Sequence, residues 1–123
     1  MYTMRVMIVD DEAHARVVLR ELVKSIPAEV VGELDNGSDV VSQYGILQPD
    51  IVLLDINMPF KTGDTVITEL LQSYPGARII ILTGVADSET IGQCIDSGAC
   101  GFIRKDNPFA EMREQMLSII RAD

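Results

Sequence analysis

The stretch IVLLDINMP (residues 51–59) sets four large aliphatic side chains directly before Asp55 and a turn directly after it. Stripping a carboxylate of water costs several kcal/mol unless a partner compensates it. A short, continuous apolar run bounded by turn residues reads as a strand buried on both faces, the signature of a parallel sheet. Such a strand ends on a charge where it surfaces. Two other runs have the same form: RVMIVDD (5–11), which ends in acids, and ARIIILT (77–83), which ends in Thr83. EVVGEL (29–34) and ACGFIRK (99–105) are shorter in apolar content and carry Gly32, Glu33, Gly101 and Arg104.

Helical periodicity fills the intervals between these runs. EAHARVVLRELVKSI (12–26) places Ala15, Val18, Leu19, Leu22 and Ile26 on one face, and Pro27 ends it. GSDVVSQYGILQ (37–48) turns Val40, Val41, Tyr44 and Leu47 inward. DTVITELLQSY (64–74) buries Val66, Ile67, Leu70 and Leu71 before Pro75 and Gly76. DSETIGQCIDSG (87–98) closes with Gly98 past its end. PFAEMREQMLSIIRA (108–122) carries Phe109, Met112, Met116, Ile119 and Ile120 on one stripe, with Pro108 at its start. Five strand–helix units in succession imply a mostly parallel sheet with helices on both faces. The three continuously apolar strands belong in the centre and the two mixed ones at the edges. The expected fold is therefore α/β, a flavodoxin-like doubly wound five-stranded sheet of order 2-1-3-4-5, whose site lies at the carboxyl ends of the strands.

The 123 residues suit one domain, over residues 1–123, and a hydrophobic fraction of 47% is enough for a core that must be mostly aliphatic, Trp being absent. A net charge of −9 argues against a duplex-binding face, so no direct nucleic-acid contact is expected of this chain. Its apolar runs are strand-sized, so no membrane span is expected, and the N-terminus lacks a signal-peptide core. The expected location is cytoplasmic. Cys94 and Cys100 match no metal spacing and read as thiols in a reducing compartment.

The expected topology brings Asp10, Asp11, Asp55, Thr83 and Lys105 to one rim. Singly, each has an ordinary explanation: the aspartates as a helix cap or turn opener, Thr83 and Lys105 as strand-end residues. Together they make a site. Two like charges about 4 Å apart cost on the order of 4 kcal/mol at an effective dielectric near 20, so a cation belongs among the carboxylates. Lys105 offsets part of the repulsion. The oxygen-rich remainder suits Mg²⁺, and without metal at least one carboxyl is expected to titrate abnormally high. A metal-bound aspartate beside a lysine and a hydroxyl is a phosphoryl acceptor, and small Gly84 leaves room for the incoming group.

VMIVDDE, IVLLDINMPFKTG, IIILTG and GACGFIRKD together resemble the receiver domain of bacterial two-component response regulators over essentially the whole chain. The form GFIRKD is similar to receivers joined to helix-turn-helix output domains. The resemblance implies that Asp55 is the phosphoacceptor and that Asp11, Asp55 and the Asn57 carbonyl bind Mg²⁺, with Asp10 acting through water. It implies that Lys105 and Thr83 contact the phosphoryl group and that Phe102 is the switch aromatic that turns inward as Thr83 moves. It names a sensor histidine kinase as the partner, with an output domain or a homodimer engaged through the fourth helix, fifth strand and fifth helix; Arg104, Arg113 and Arg121 lend that face basic character. Asp106, not Pro, follows Lys105, so the cis bond that many receivers carry there is not implied. Phe in place of Tyr leaves burial alone, worth about 2 kcal/mol, to decide the swing; the plainer reading of Phe102 is a permanently buried core residue. Asn57 and Val85 flank the site, where they could tune hydrolysis.

Several alternatives compete with a signalling module. A phosphatase or phosphotransferase would need a cap domain and a DxD-type nucleophile motif. A flavodoxin-like cofactor carrier would need a hydroxyl- and glycine-rich phosphate loop where VDDEAHAR is acidic. A degenerate receiver would lack part of the five-residue set. No catalysis beyond its own phosphorylation and dephosphorylation is expected. A stand-alone receiver acting as a relay intermediate or partner-binding module is the alternative to control of an output domain. His14 reads as an exposed helix residue and the six methionines as core filler.

Overall fold

The central runs do form strands buried on both faces. The computed structural model describes residues 2–58, 61–84 and 88–122. Strands β1 (Met4–Val9), β2 (Ala28–Leu34), β3 (Ile51–Asp55), β4 (Ile79–Thr83) and β5 (Gly101–Arg104) alternate with helices α1 (Ala13–Lys24), α2 (Val40–Leu47), α3 (Gly63–Ser73), α4 (Ser88–Asp96) and α5 (Phe109–Arg121). All strand pairs are parallel, in the order β2-β1-β3-β4-β5. Every residue of β3 and β4 is buried, whereas the edge strands are mixed. Hydrophobic continuity therefore ranked the strands correctly by depth in the sheet.

Alternation along the strands divides the core in two. Met7, Val9, Val52, Leu54, Ile79 and Ile81 face Val66, Ile67 and Leu70 of α3, Val40 of α2 and Cys94 of α4. Val6, Ile8, Ile51, Leu53, Ile80, Leu82 and Ile103 face Leu19, Leu22 and Val23 of α1 and Met112, Met116 and Leu117 of α5. Full burial of one such aliphatic side chain contributes about 1.5–3 kcal/mol. Opposed packing on the two faces thus pins the register of β3, because a one-residue slip would exchange its two side-chain sets.

Several boundaries differ from the sequence reading. β1 stops at Val9, so Asp10 and Asp11 lie beyond the strand. α1 stops at Lys24, because Ser25 and Ile26 turn back on Glu21, Leu22 and Val23 before Pro27 is reached. α2 starts at Val40, since the Asn36 side chain accepts from the Ser38 and Asp39 N–H groups and holds a turn there. Asp87 lies outside the described residues, as do Pro59 and Val85. Phe109 opens α5 and is 41% exposed, not part of the buried stripe, while Leu117 is buried in its stead. Helical periodicity locates a stripe but not where the sheet beneath it ends.

Gly98 is required by conformation: its φ of +120° ends α4 and lets the Ala99 N–H return to the Cys94 carbonyl. Gly32 sits where the tip of the Leu47 side chain crowds the strand. It follows the β1–β2 register shift, and a Cβ there would fall 2.5 Å from Leu47 Cδ1.

Candidate phosphoryl-acceptor and metal site

The rim formed by the ends of β1, β3, β4 and β5 gathers the acids and the lysine. Asp10 follows β1 and is fixed by its backbone: its N–H donates to the Leu34 carbonyl at 3.0 Å, and its own carbonyl accepts from Arg16 Nη1 at 2.7 Å. Its side chain is fully buried, and Oδ1 accepts from the Glu12 N–H at 2.9 Å. Asp10 is therefore a turn former and not the α1 cap. Glu12 holds the cap position, without a side-chain bond to the helix.

Asp55, the last residue of β3, is 2% exposed, and its Oδ1 accepts from the Asn57 N–H at 2.9 Å. It thus opens the turn and serves the site at once. Thr83 closes β4 and is buried. Its carbonyl accepts the Lys105 N–H at 2.8 Å, which anchors the residue after β5 to the rim. Gly84 is exposed, and among the described residues a Cβ there would meet nothing within 4 Å, which leaves space beside Thr83.

Lys105 Nζ lies 2.8 Å from Asp10 Oδ2, 3.1 Å from Glu12 Oε1 and 3.4 Å from Asp55 Oδ2. The two buried carboxylates thus share one ammonium, which exposed Glu12 also contacts. Burial pushes the Asp55 carboxyl up to about 6, with a smaller contribution from the Asp10 charge, against the opposing pull of the Asn57 N–H and Lys105. The expected abnormal carboxyl is therefore Asp55. Burial alone would depress the Lys105 ammonium, but the close contact with Asp10 and the charges of Asp55 and Asp10, with Glu12 adding, outweigh it and hold its pKa above the ordinary 10.5.

One carboxylate oxygen from each of Asp10, Asp11, Glu12 and Asp55 lies within 4.8 Å of the others. Asp10 Oδ2 is buried and, although at ion-pair distance from Lys105, has no donor in hydrogen-bonding geometry among the described residues. Hard oxygen donors with an unsatisfied buried oxygen among them fit Mg²⁺. Asp11 is exposed and contributes from the solvent side. Glu12 is the member that the sequence reading passed over. Its signal was there, as the third consecutive acid in VDDE, but an acid at a helix start has an ordinary role with the helix dipole.

Phe102 lies opposite Ile81 on β5 and is 37% exposed, so it is not a permanently buried core residue. Ile103, its neighbour, takes the fully buried position instead, as alternation along an edge strand requires. The basic character expected of the α4–β5–α5 face is mostly spent. Arg104 makes a two-point pair with Asp106 at 3.1 and 2.6 Å, and Arg113 donates to the Ser25 carbonyl at the end of α1. Arg104 accordingly holds the Asp106 carboxyl below its ordinary range. No peptide bond among the described residues is cis, including that after Lys105. His14 is exposed beside a cavity that Lys105, Glu12, Val18 and Met112 also line. No described helix is long and apolar enough to cross a membrane.

The response regulator receiver domain family matches residues 6–117. The chain is 38% identical over 109 residues to the chemotaxis protein CheY of Thermotoga maritima, covering 89% of each. A LuxR-family two-component response regulator from Aurantimonas sp. superposes with a TM-score of 0.90 at 28% identity, over 98% of this chain and 87% of the other. A chain of the CheX–CheY–BeF3–Mg²⁺ complex from Borrelia burgdorferi superposes with a TM-score of 0.87 at 26% identity, over 95% and 89% respectively.

Proposed function

The chain belongs to the response regulator receiver domain family, and on that premise we propose that it accepts a phosphoryl group on Asp55 from a sensor histidine kinase and switches a partner-binding face in response. The observation that carries the reading is the sharing of Lys105 between buried Asp10 and Asp55 at the ends of adjacent strands. An oxygen of the Asp55 carboxylate attacks phosphorus, a new O–P bond forms, and the bond from phosphorus to the donor's imidazole nitrogen breaks. The Asn57 N–H holds the Asp55 carboxylate in place. Lys105 supplies a positive charge at the acceptor, the Thr83 hydroxyl is assigned to a phosphoryl oxygen, and open space at Gly84 admits the group. Asp10, Asp11 and Asp55, with the Asn57 carbonyl, would hold Mg²⁺, which neutralises charge on the transferring group.

Phosphorylation adds about −1.5 to −2 charges at Asp55. Recruitment of Thr83 and Lys105 to that charge is the bias, and Phe102 on β5 is the element that would turn inward. The responding face is α4–β5–α5, engaged by an output domain or a second copy. A stand-alone receiver that binds partners is the second reading, and the 38% identity to Thermotoga CheY over 109 residues is the observation that favours it. A cytoplasmic location suits either arrangement.

The test is incubation with a small acyl phosphate and Mg²⁺ followed by intact mass. One phosphoryl adduct is expected on the wild-type chain and none on Asp55→Asn. An adduct that persists in Asp55→Asn, or sustained turnover of the donor, would overturn the reading.

A further inference from the structure

We propose that Glu12 is a positioning residue that clamps Lys105 in the unphosphorylated protein and must release it before the lysine can hold a phosphoryl group on Asp55. The inference rests on the phosphoacceptor reading of Asp55. Lys105 Nζ is already ringed by three carboxylate oxygens within 3.4 Å: it donates to Glu12 Oε1 and Asp55 Oδ2 and is ion-paired with Asp10 Oδ2. A phosphoryl oxygen that binds Nζ takes the place of one of them. Asp10 and Asp55 cannot yield readily. Both are buried, and a backbone N–H fixes each through its Oδ1. The Glu12 side chain is 65% exposed and makes no capping bond, so its release costs little more than the exposed ion pair itself.

Glu12 also has two separable roles. Its backbone N–H orders Asp10, while its side chain holds Lys105. A side-chain substitution therefore removes the clamp and leaves the Asp10 turn standing. Glu12→Gln keeps the shape and removes the charge. Glu12→Asp keeps the charge and shortens the reach, which distinguishes a clamp on the lysine from a general repulsion of anionic donors.

The probe is beryllofluoride, a phosphoryl mimic that binds without turnover, titrated by fluorine NMR at saturating Mg²⁺ and read beside the phosphorylation rate with a small acyl phosphate. Both variants are expected to bind the mimic about two- to fivefold more tightly, the worth of one exposed ion pair, and to be phosphorylated faster by a similar factor. Unchanged or weaker binding in Glu12→Gln overturns the proposal. So does a Glu12→Asp variant that matches the wild type, because then only the charge of Glu12 counts. A wild-type chain that takes no adduct under the same conditions overturns the phosphoacceptor reading itself, whereas normal wild-type phosphorylation with indifferent variants overturns only the role of Glu12.

Discussion

Removing the charge of Asp55 should stabilise the metal-free protein. Asp10 and Asp55 are buried, and one ammonium, at 2.8 and 3.4 Å, faces both. The Asp55 carboxyl sits at about 6 in the fold against 3.8 as its ordinary value, with burial as the main cause. The native state therefore holds a proton that the unfolded chain has already lost between those pH values, and stability falls as pH rises through that window. Above it, the full cost of ionising Asp55 is present, about 3 kcal/mol for a shift of roughly two pKa units. That shift is already net of the attraction to Lys105. Asp55→Asn keeps the shape and deletes the charge, so a gain of about 3 kcal/mol at pH 8 follows, or roughly 12 °C in Tm for a domain of this size. At pH 4 the gain should nearly vanish, because wild-type Asp55 is then protonated. Mg²⁺ at 100 times its dissociation constant adds about 2.7 kcal/mol to the wild type. On the proposed Mg²⁺ site the variant lacks one carboxylate ligand and should gain less, so metal should close the gap. Thermal melts followed by far-UV circular dichroism at pH 4 and 8, with chelator or Mg²⁺, read all four corners. A metal-free variant no more stable than the wild type at pH 8 would refute the crowding argument.

The same geometry predicts the opposite sign at the lysine. Lys105→Met leaves two buried carboxylates without their shared cation, and breaking a buried pair in this way costs about 3–5 kcal/mol. Urea denaturation at pH 8 without metal should show that loss, and it should shrink at pH 5, where Asp55 can take up a proton; a loss independent of pH would argue for packing alone. Away from the site, Gly98→Ala should cost about 1–3 kcal/mol, since φ is +120° there and a Cβ would meet the Leu71 side chain. The measurement is the urea midpoint, and a neutral result would mean that the α4–β5 turn relaxes freely.

The fold was legible because burial on both faces leaves a mark that needs no alignment. A strand covered from two sides cannot alternate, so VMIV, IVLL and IIIL announced the centre, and the glycines and charges of the other two strands announced the edges. The site was legible for a related reason. Strand order converted Asp10, Asp55, Thr83 and Lys105, far apart in the chain, into neighbours. Three-dimensional facts without a periodic trace stayed hidden. Phe102 and Ile103 are adjacent apolar residues on an edge strand, and only the register decides that Ile103 is buried and Phe102 is 37% exposed. Phe109 continued the helical stripe on paper but opens the helix in solvent. Arg104 looked available to a partner until the turn after β5 folded Asp106 back onto it.

Glu12 shows the most general form of this limit. In the sequence it is one more acid in an acidic protein, and a helix start is an ordinary place for it. In the structure it takes the third contact to an ammonium whose other two go to buried carboxylates. Its importance comes from counting the carboxylates around Lys105, 93 residues away, and not from any property of its neighbours in the chain. Three carboxylates around one ammonium form a competition, and on the proposed function a phosphoryl group on Asp55 would enter that competition as the stronger anion. The least buried competitor yields first, which makes the exposed residue of the set, and not the buried ones, the place where sequence variation can change the response while the acceptor stays intact.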